Sequence, residues 1–240
     1  MYVPAPYSIF EGIYKLEPGC ILSMNEPPKG EPTHSFHMQD DESICFDGLK
    51  ISKWYRFKEV ISKCAKEQIK DKHEASELLE AQLNETIQMQ SLADVPLGAF
   101  LSGGIDSSAI VALMQNQRTD PIKTFTIGFE ETQFDESKYA QAVASHLKTD
   151  HHEMRVTSND ALSLIPQLPE LYDEPFADSS QIPTYFVSQA AKQEVTVSLS
   201  GDAGDELFGG YNRYLMAPAL WKKINWMPFP ARKFIGNSLH

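Results

Sequence analysis

Between Lys70 and Leu92 the apolar residues Ala75, Leu79, Leu83 and Ile87 recur every four positions among polar ones. That spacing aligns side chains on one helical face and predicts a surface helix ending before Pro96. Leu97 to Leu101 then reads as a short buried strand, and Ala109 to Met114, apolar on all sides, as a buried helix. The order recurs: Thr124 to Phe129 is strand-like, Asp135 is a good N-cap, and Tyr139, Ala140, Val143, Ala144 and Leu147 share one face of the helix that follows. His152 to Val156 reads as a strand, Gln181 to Gln193 as a helix and Val195 to Leu199 as a strand. Strands alternating with helices imply an α/β fold, a parallel sheet covered by helices on both faces. Ahead of it, residues 1 to 50 are rich in Pro and Gly, with short alternating runs at Ile13–Leu16 and Cys20–Ser23 that read as β-hairpin material. This stretch is too short for a domain of its own, and the pattern changes between Asp47-Gly48 and Phe57.

Composition narrows the class. The 240 residues carry 21 Lys+Arg and 33 Asp+Glu, a formal charge of −12, with 42% hydrophobic and 22% charged residues. That is ordinary for a water-soluble globular chain, long enough for one large or two smaller domains. The longest apolar run, the six residues Ala109 to Met114, falls far short of the roughly 20 needed to span a bilayer. The start, Met1 to Pro6, has no basic region and two prolines where a signal peptide needs an apolar helix. A cytoplasmic protein without membrane partners is expected. Cys20, Cys45 and Cys64 are odd in number and widely spaced, which argues against a disulfide framework or structural zinc. The acidic balance argues against a nucleic-acid partner, because phosphate-backbone affinity comes from clustered Lys and Arg. Yet residues 207 to 240 hold five bases (Arg213, Lys222, Lys223, Arg232, Lys233) and no acid, leaving −17 on residues 1 to 206.

Two loops carry the candidate chemistry. The first, Leu101-Ser102-Gly103-Gly104-Ile105-Asp106-Ser107-Ser108, lies between a buried strand and a buried helix. Gly103 and Gly104 permit close approach, and Ser107 and Ser108 sit where a first helical turn offers unpaired N–H groups, the makings of an anion cradle. The loop has no lysine, so it is not a Walker A loop, and it does not fit GxGxxG. Backbone amides, hydroxyls and a metal on Asp106 would replace the lysine. The second, Ser200-Gly201-Asp202-Ala203-Gly204-Asp205-Glu206, follows the strand Val195 to Leu199, where open α/β sheets bind ligands. Three carboxylates in five residues repel one another unless a cation sits among them. Mg²⁺ shared with phosphate oxygens suits the set, since it takes only one or two protein carboxylates.

The first loop resembles the Ser-Gly-Gly-x-Asp-Ser-Ser pyrophosphate loop (PP-loop) of the ATP pyrophosphatases, whose sheets are adenine nucleotide alpha hydrolase-like. Both loops together, Leu101–Ser108 and Leu199–Tyr214, resemble the synthetase domain of glutamine-hydrolysing asparagine synthetases. Phe125–Phe129, Phe134–Ser137, His151-His152-Glu153 and Asp173–Ser180 are similar to that family too, and the likeness covers residues 59 to 216. Residues 4 to 22 resemble the closing strands of the family's class II glutaminase domain. The expected division is therefore 1–50, the end of a glutaminase-type β domain, and 59–240, an ATP-binding domain truncated at its C-terminus. The resemblance implies that Leu101 and Ile127 contact adenine and ribose, with Ser200 and Gly201 lining the same ATP site. Ser102, Gly103, Gly104, Ser107 and Ser108 would cradle phosphates, and Asp106 and Asp205 would hold Mg²⁺ and pyrophosphate, with Asp202 expected to converge with them around the nucleotide. It implies attack of an aspartate carboxylate on the α-phosphorus, giving β-aspartyl-AMP and pyrophosphate, then asparagine with ammonia from glutamine. The substrates would be small molecules, and the full-length protein a homodimer.

Three departures qualify this. The family's usual Ser-Gly-Glu is Ser200-Gly201-Asp202 here, one methylene shorter at the residue implied to touch the activated substrate, which opens the acceptor to another carboxylate. Tyr2 follows Met1 where a class II glutaminase has an N-terminal Cys, and nothing corresponds to the family's later lysine. The expectation is a chain that keeps the nucleotide site but cannot hydrolyse glutamine. The rival readings are another ATP pyrophosphatase, such as a β-lactam-forming or tRNA-modifying enzyme, and a non-catalytic ATP-binding fragment. His151 and His152 are adjacent, so on a strand they face opposite ways and cannot share a metal. Trp221, Trp226, Phe229 and Phe234, set among the tail's bases, are expected to pack against the remainder of a longer domain rather than a membrane or single strand.

Overall fold

The computed structural model describes residues 2–27, 43–46, 48–130 and 135–238. Phe134 of the quoted motif lies outside the described residues, as does the side chain of Phe234. The chain forms two compact units, residues 1–82 with 157–185, and 83–156 with 186–240.

The first unit holds an antiparallel sheet of β1 (Cys20–Met24), β2 (Ile44–Phe46) and β3 (Leu49–Lys53), in the order β1-β3-β2. Cys20 and Ile51 are buried with Ile44 packed against them. The helix α1 (Phe57–Cys64) and the first part of α2 (Lys72–Gln90) follow. Cys20–Ser23 is a strand as its alternation predicts, but Ile13–Leu16 is not. There the Lys15 N–H donates to the Pro6 carbonyl at 2.9 Å and the Lys15 ammonium pairs with Glu174. The alternation at Ile13–Leu16 thus serves a tether rather than a ladder. Glu174 also accepts the Ile9 N–H at 3.1 Å. The third strand occupies the stretch where the pattern alone showed only a transition.

The second unit is built on the parallel sheet β6-β5-β4-β7, from β4 (Leu97–Phe100), β5 (Lys123–Phe129), β6 (Asp150–Val156) and β7 (Val197–Leu199). The helices α3 (Ile105–Asn116) and α4 (Ser137–Leu147) link the first three strands. Between β6 and β7 the chain passes through α5 (Ser158–Leu164), α6 (Leu168–Leu171) and α7 (Gln181–Lys192). Three short helices, α8 (Gly204–Phe208), α9 (Asn212–Ile224) and α10 (Phe229–Ser238), close the described chain. The central strands are buried on both faces, as parallel strands require. On one face Leu97, Ala99 and Leu101 pack with Val111 and Met114 of α3 and Ala140 and Ala144 of α4. On the other, Phe125 packs with Ala191 and Val195. Each fully buried Val or Met side chain is worth about 1.5–3 kcal/mol. Gly98 is required where the strands meet, because a Cβ would lie 2.7 Å from the Phe125 ring.

Two predicted boundaries shift. Val195 is buried but precedes β7, and Thr196 and Val197 instead send their N–H groups to the Pro96 carbonyl at 3.0 and 3.3 Å. Asp135 does accept a helix-start N–H, from Ser137 at 3.1 Å, while Glu136 occupies the N-cap position.

Candidate functional site

Strand order places the site. The chain runs outward from β4 through β5 to β6, then returns to lay β7 on the other side of β4. The direction of travel reverses between β4 and β7, and the crevice beyond the carboxyl ends of such strands is where open α/β sheets bind ligands. Both glycine-rich turns leave from those ends. A cavity of about 560 Å³ lined by Pro96, Leu97, Arg118, Asp120 and Lys123 lies at the opposite, amino-terminal end, away from both turns.

The first turn is braced by its own hydroxyls. Ser102 Oγ and Ser107 Oγ are 2.9 Å apart, the Ser102 N–H donates to Ser107 Oγ at 3.2 Å, and the Gly104 N–H donates to Ser102 Oγ at 3.3 Å. The Ser107 hydroxyl also reaches the Gly104 carbonyl at 3.3 Å. Gly103 is required twice over: its φ is +81°, and a Cβ would lie 2.6 Å from the backbone of Tyr139 and Ala140 in α4. Gly104, at φ −71° and ψ 167°, starts α3 without a side-chain cap, so the first turn presents N–H groups with no capping acceptor. Ser108 Oγ is buried with no partner among the described residues. An anion at this turn would meet helix-start dipoles and an orphaned hydroxyl together.

The second turn meets the first through glycines. A Cβ on Gly201 would lie 2.7 Å from the Ser107 nitrogen and 2.9 Å from the Asp106 carbonyl carbon. One on Gly204 would lie 2.6 Å from Asp106 Oδ2. Ala203 between them takes φ +71°, a left-handed conformation disfavoured for any residue with a Cβ. Within the turn the Asp202 N–H donates to Ser200 Oγ at 3.2 Å and the Gly204 N–H to the Gly201 carbonyl at 3.2 Å. Asp205 lies in the first turn of α8, and its carbonyl accepts the Gly210 N–H at 3.0 Å.

The predicted site residues are thus brought together in part. Asp106, Ser107, Gly201 and the turn carrying Asp205 are in contact. Leu101 is 1% exposed with its side chain in the core, and its N–H donates to the Phe125 carbonyl at 2.9 Å, so it can touch a ligand only through its backbone. Ile127 is half-buried near the carboxyl end of β5, paired with Met154. The expected three-carboxylate convergence is not formed: among the described residues no three His, Cys, Asp or Glu side chains gather as metal ligands. Left-handed Ala203 turns the chain between Asp202 and Asp205. Asp106 lies against Gly204, whereas the Asp205 carboxylate lies against Gly210 on its own loop, so the two turns touch through Gly204 rather than through a pair of carboxylates.

The histidines behave as adjacent strand residues should. His151 Nδ1 lies 2.9 Å from Thr124 Oγ1, whereas His152 stacks on Phe125 with ring centroids 5.3 Å apart. Burial pushes the His151 imidazole below its ordinary pKa. In the tail, Trp226 is 77% exposed, and the Arg232 guanidinium lies 4.7 Å from the centre of the Trp221 ring.

Residues without a sequence-based role stand out beside the second turn. The Tyr211 hydroxyl donates to Glu206 Oε1 at 2.5 Å, and the Arg213 guanidinium lies 4.1 Å from the Tyr211 ring centre. The Tyr211 hydroxyl holds Glu206 below the usual carboxylate range, and that same bond pushes the Tyr211 phenol up to about 12. All three lie within the Leu199–Tyr214 motif, but nothing in it assigned them a role; the added signal is spacing, an acid, a tyrosine five residues on and an arginine two beyond it.

The asparagine synthase family model matches residues 78–240. A putative asparagine synthetase [glutamine-hydrolyzing] 2 of Methanocaldococcus jannaschii is 38% identical over 216 residues, covering 89% of this chain and 37% of that protein. Asparagine synthetase [glutamine-hydrolyzing] 1 of Bacillus subtilis is 33% identical over 234 residues, covering 98% of this chain and 33% of that protein. The chain therefore spans about a third of the length of these curated relatives. Among solved structures, an NH3-dependent NAD synthetase from Campylobacter jejuni aligns with a TM-score of 0.41 at 12% identity, covering 57% of this chain and 62% of that one.

Proposed function

The chain belongs to the asparagine synthase family, and from that premise we propose that it carries the nucleotide site of a glutamine-dependent, asparagine-forming ligase. The observation that carries the reading is the meeting of the two turns, with Gly201 against the Asp106–Ser107 backbone and Gly204 against the Asp106 carboxylate. The names of the archaeal and Bacillus relatives support the same chemistry. The triphosphate of ATP is received by the uncapped first turn of α3, with Ser102, Gly103, Gly104, Ser107 and Ser108 forming the cradle. The Leu101 backbone, Ile127, Ser200 and Gly201 border the nucleoside. Asp106 and Asp205 would hold Mg²⁺, which when bound neutralises phosphate oxygens as pyrophosphate leaves.

An oxygen of the aspartate side-chain carboxylate attacks the α-phosphorus and the bond to the β-phosphate breaks, giving β-aspartyl-AMP and pyrophosphate. Ammonia derived from glutamine then displaces AMP to form asparagine. The protein's share is positioning and charge placement rather than covalent chemistry. Asp202, exposed on the second turn, would face the activated acceptor. The setting is the cytoplasm, in keeping with three unpaired cysteines.

ATP–pyrophosphate exchange tests the reading. Aspartate-dependent incorporation of labelled pyrophosphate into ATP is expected. Nucleotide binding with no exchange under any carboxylate would overturn the ligase, and exchange driven by a different carboxylate would reassign the acceptor.

A further inference from the structure

The helix that carries Asp205, α8, is five residues long and buries none of its side chains: Leu207 is 68% and Phe208 59% exposed. So short a helix does not hold itself together in water. The turn leading into it is not relaxed either, since Ala203 is left-handed at φ +71°. Gly201 and Gly204 seat the turn against α3, but no buried side chain of α8 itself holds it there, and a second restraint is needed on the α8 side.

The structure supplies it on the far side of α8. Glu206, next to Asp205, accepts the Tyr211 hydroxyl at 2.5 Å. The Arg213 guanidinium lies over the Tyr211 ring at 4.1 Å and faces the Tyr214 ring at 5.5 Å, and the two rings are 5.8 Å apart. A cation over a phenol ring is attracted to its face and makes the hydroxyl a stronger donor. Gly209 ends α8 in the left-handed region at φ +71°, and the Gly210 N–H returns to the Asp205 carbonyl, so the chain between Asp205 and Tyr211 is closed into one short loop.

We propose that Tyr211 and Arg213 are positioning residues of the phosphate site: they clamp Glu206, hold the strained turn closed and thereby keep the turn that carries Asp205 seated against Asp106. The clamp also occupies the Glu206 carboxylate, which would otherwise compete with Asp205 for a cation. This role rests on the nucleotide reading above.

The test combines amide hydrogen exchange on the free chain with calorimetric binding of Mg-ATP and of adenosine. In Tyr211→Phe, exchange is expected to rise across residues 203–210 and stay unchanged in β4 and β5. Its Kd for Mg-ATP rises by about tenfold while that for adenosine stays within about twofold, because a loosened turn lowers only the fraction of molecules ready for the phosphates. Adding Arg213→Met to Tyr211→Phe changes the Kd by less than about twofold more, since both act through one contact. Glu206→Gln, which keeps an acceptor for the hydroxyl, retains most of the affinity. Unchanged exchange in Tyr211→Phe, or equal loss of Mg-ATP and adenosine, would overturn the clamp. A wild-type chain that binds no Mg-ATP would overturn the nucleotide reading and this role with it, a result seen before any variant is made.

Discussion

Replacing Gly201 by Ala tests the contact on which the site depends. A Cβ there would sit 2.7 Å from the Ser107 nitrogen, 2.9 Å from the Asp106 carbonyl carbon and 3.1 Å from the Ser107 Cα. All three are backbone atoms, so no side chain can rotate away, and the first contact is about 0.7 Å closer than ordinary packing allows. Helix α3 cannot retreat either, because Val111 and Met114 anchor it in the core. The second turn must move instead, carrying Asp205 with it. Overpacking of this kind costs about 1–3 kcal/mol of stability, and misplacing a charge-bearing group by somewhat under 1 Å costs on the order of tenfold to a hundredfold in phosphate recognition. Calorimetry should show that loss for Mg-ATP and little change for adenosine, alongside a lowered Tm. Gly236→Ala is the control: it lies in α10, outside the two turns, and its Cβ would meet nothing within 4 Å. Its Mg-ATP affinity should stay within about twofold of wild type and its stability should not fall. A Gly201→Ala protein with wild-type Tm and wild-type Mg-ATP affinity would refute the contact as drawn.

Asp205→Asn should weaken Mg-ATP binding more than adenosine binding, and equal loss of both would count against a metal role for that carboxylate. Met114→Ala, at a side chain buried between α3 and the sheet, should lower stability by about 2–5 kcal/mol, read from the denaturant midpoint. Hydrogen bonding from Lys15, with help from the Ile9 N–H and the Ser8 hydroxyl, holds Glu174 below the usual carboxylate range. The tether's stabilisation is therefore present above that range and lost as pH falls through the lowered folded value. Lys15→Met should expose residues 2–16 to protease at neutral pH as acid does in wild type; equal resistance would sink the tether. The phenol of Tyr211 is raised from 10.0 to about 12, so its bond to Glu206 stabilises the fold below pH 10 and fails as pH rises through about 12. Ultraviolet titration should show one late-ionising tyrosine that disappears in Tyr211→Phe.

Much of the fold is legible in the apolar spacing, because the second unit obeys simple periodicities. Val111, Met114, Ala140 and Ala144 fall on buried helix positions, and Leu97, Ala99 and Phe125 on buried strand positions. What periodicity could not settle is whether an apolar stretch makes ladder bonds. Val195 is as buried as a strand residue but precedes the ladder, and Ile13–Leu16 alternates without pairing because Lys15 is engaged elsewhere. The candidate site was legible through its glycines and acids, whose contacts need those residue types whatever the fold. Leu101 received two readings from the sequence, a place in a buried strand from the apolar run and a nucleotide contact from the motif, and the structure puts its side chain in the core, which leaves only its backbone for the second. Tyr211 and Arg213 received no role, since their contact is made across a turn whose geometry depends on Ala203 and Gly209 adopting left-handed conformations.

The return of the chain to place β7 beside β4 also dictates an order of assembly. β5 and β6 follow β4 closely in sequence, but Leu97 pairs with Val197 only after residues 157–185 have been made and laid into the other unit. Closing so long a loop is entropically slow compared with the local pairings, so the edge of β4 stays open until late. During synthesis that edge is an aggregation hazard, and a chain stopped before Val197 would keep it permanently. The second turn arrives with β7, so the final docking step and completion of the proposed phosphate site are one event. A nucleotide that binds only the completed site would therefore act as a folding ligand, drawing the last strand into place by mass action.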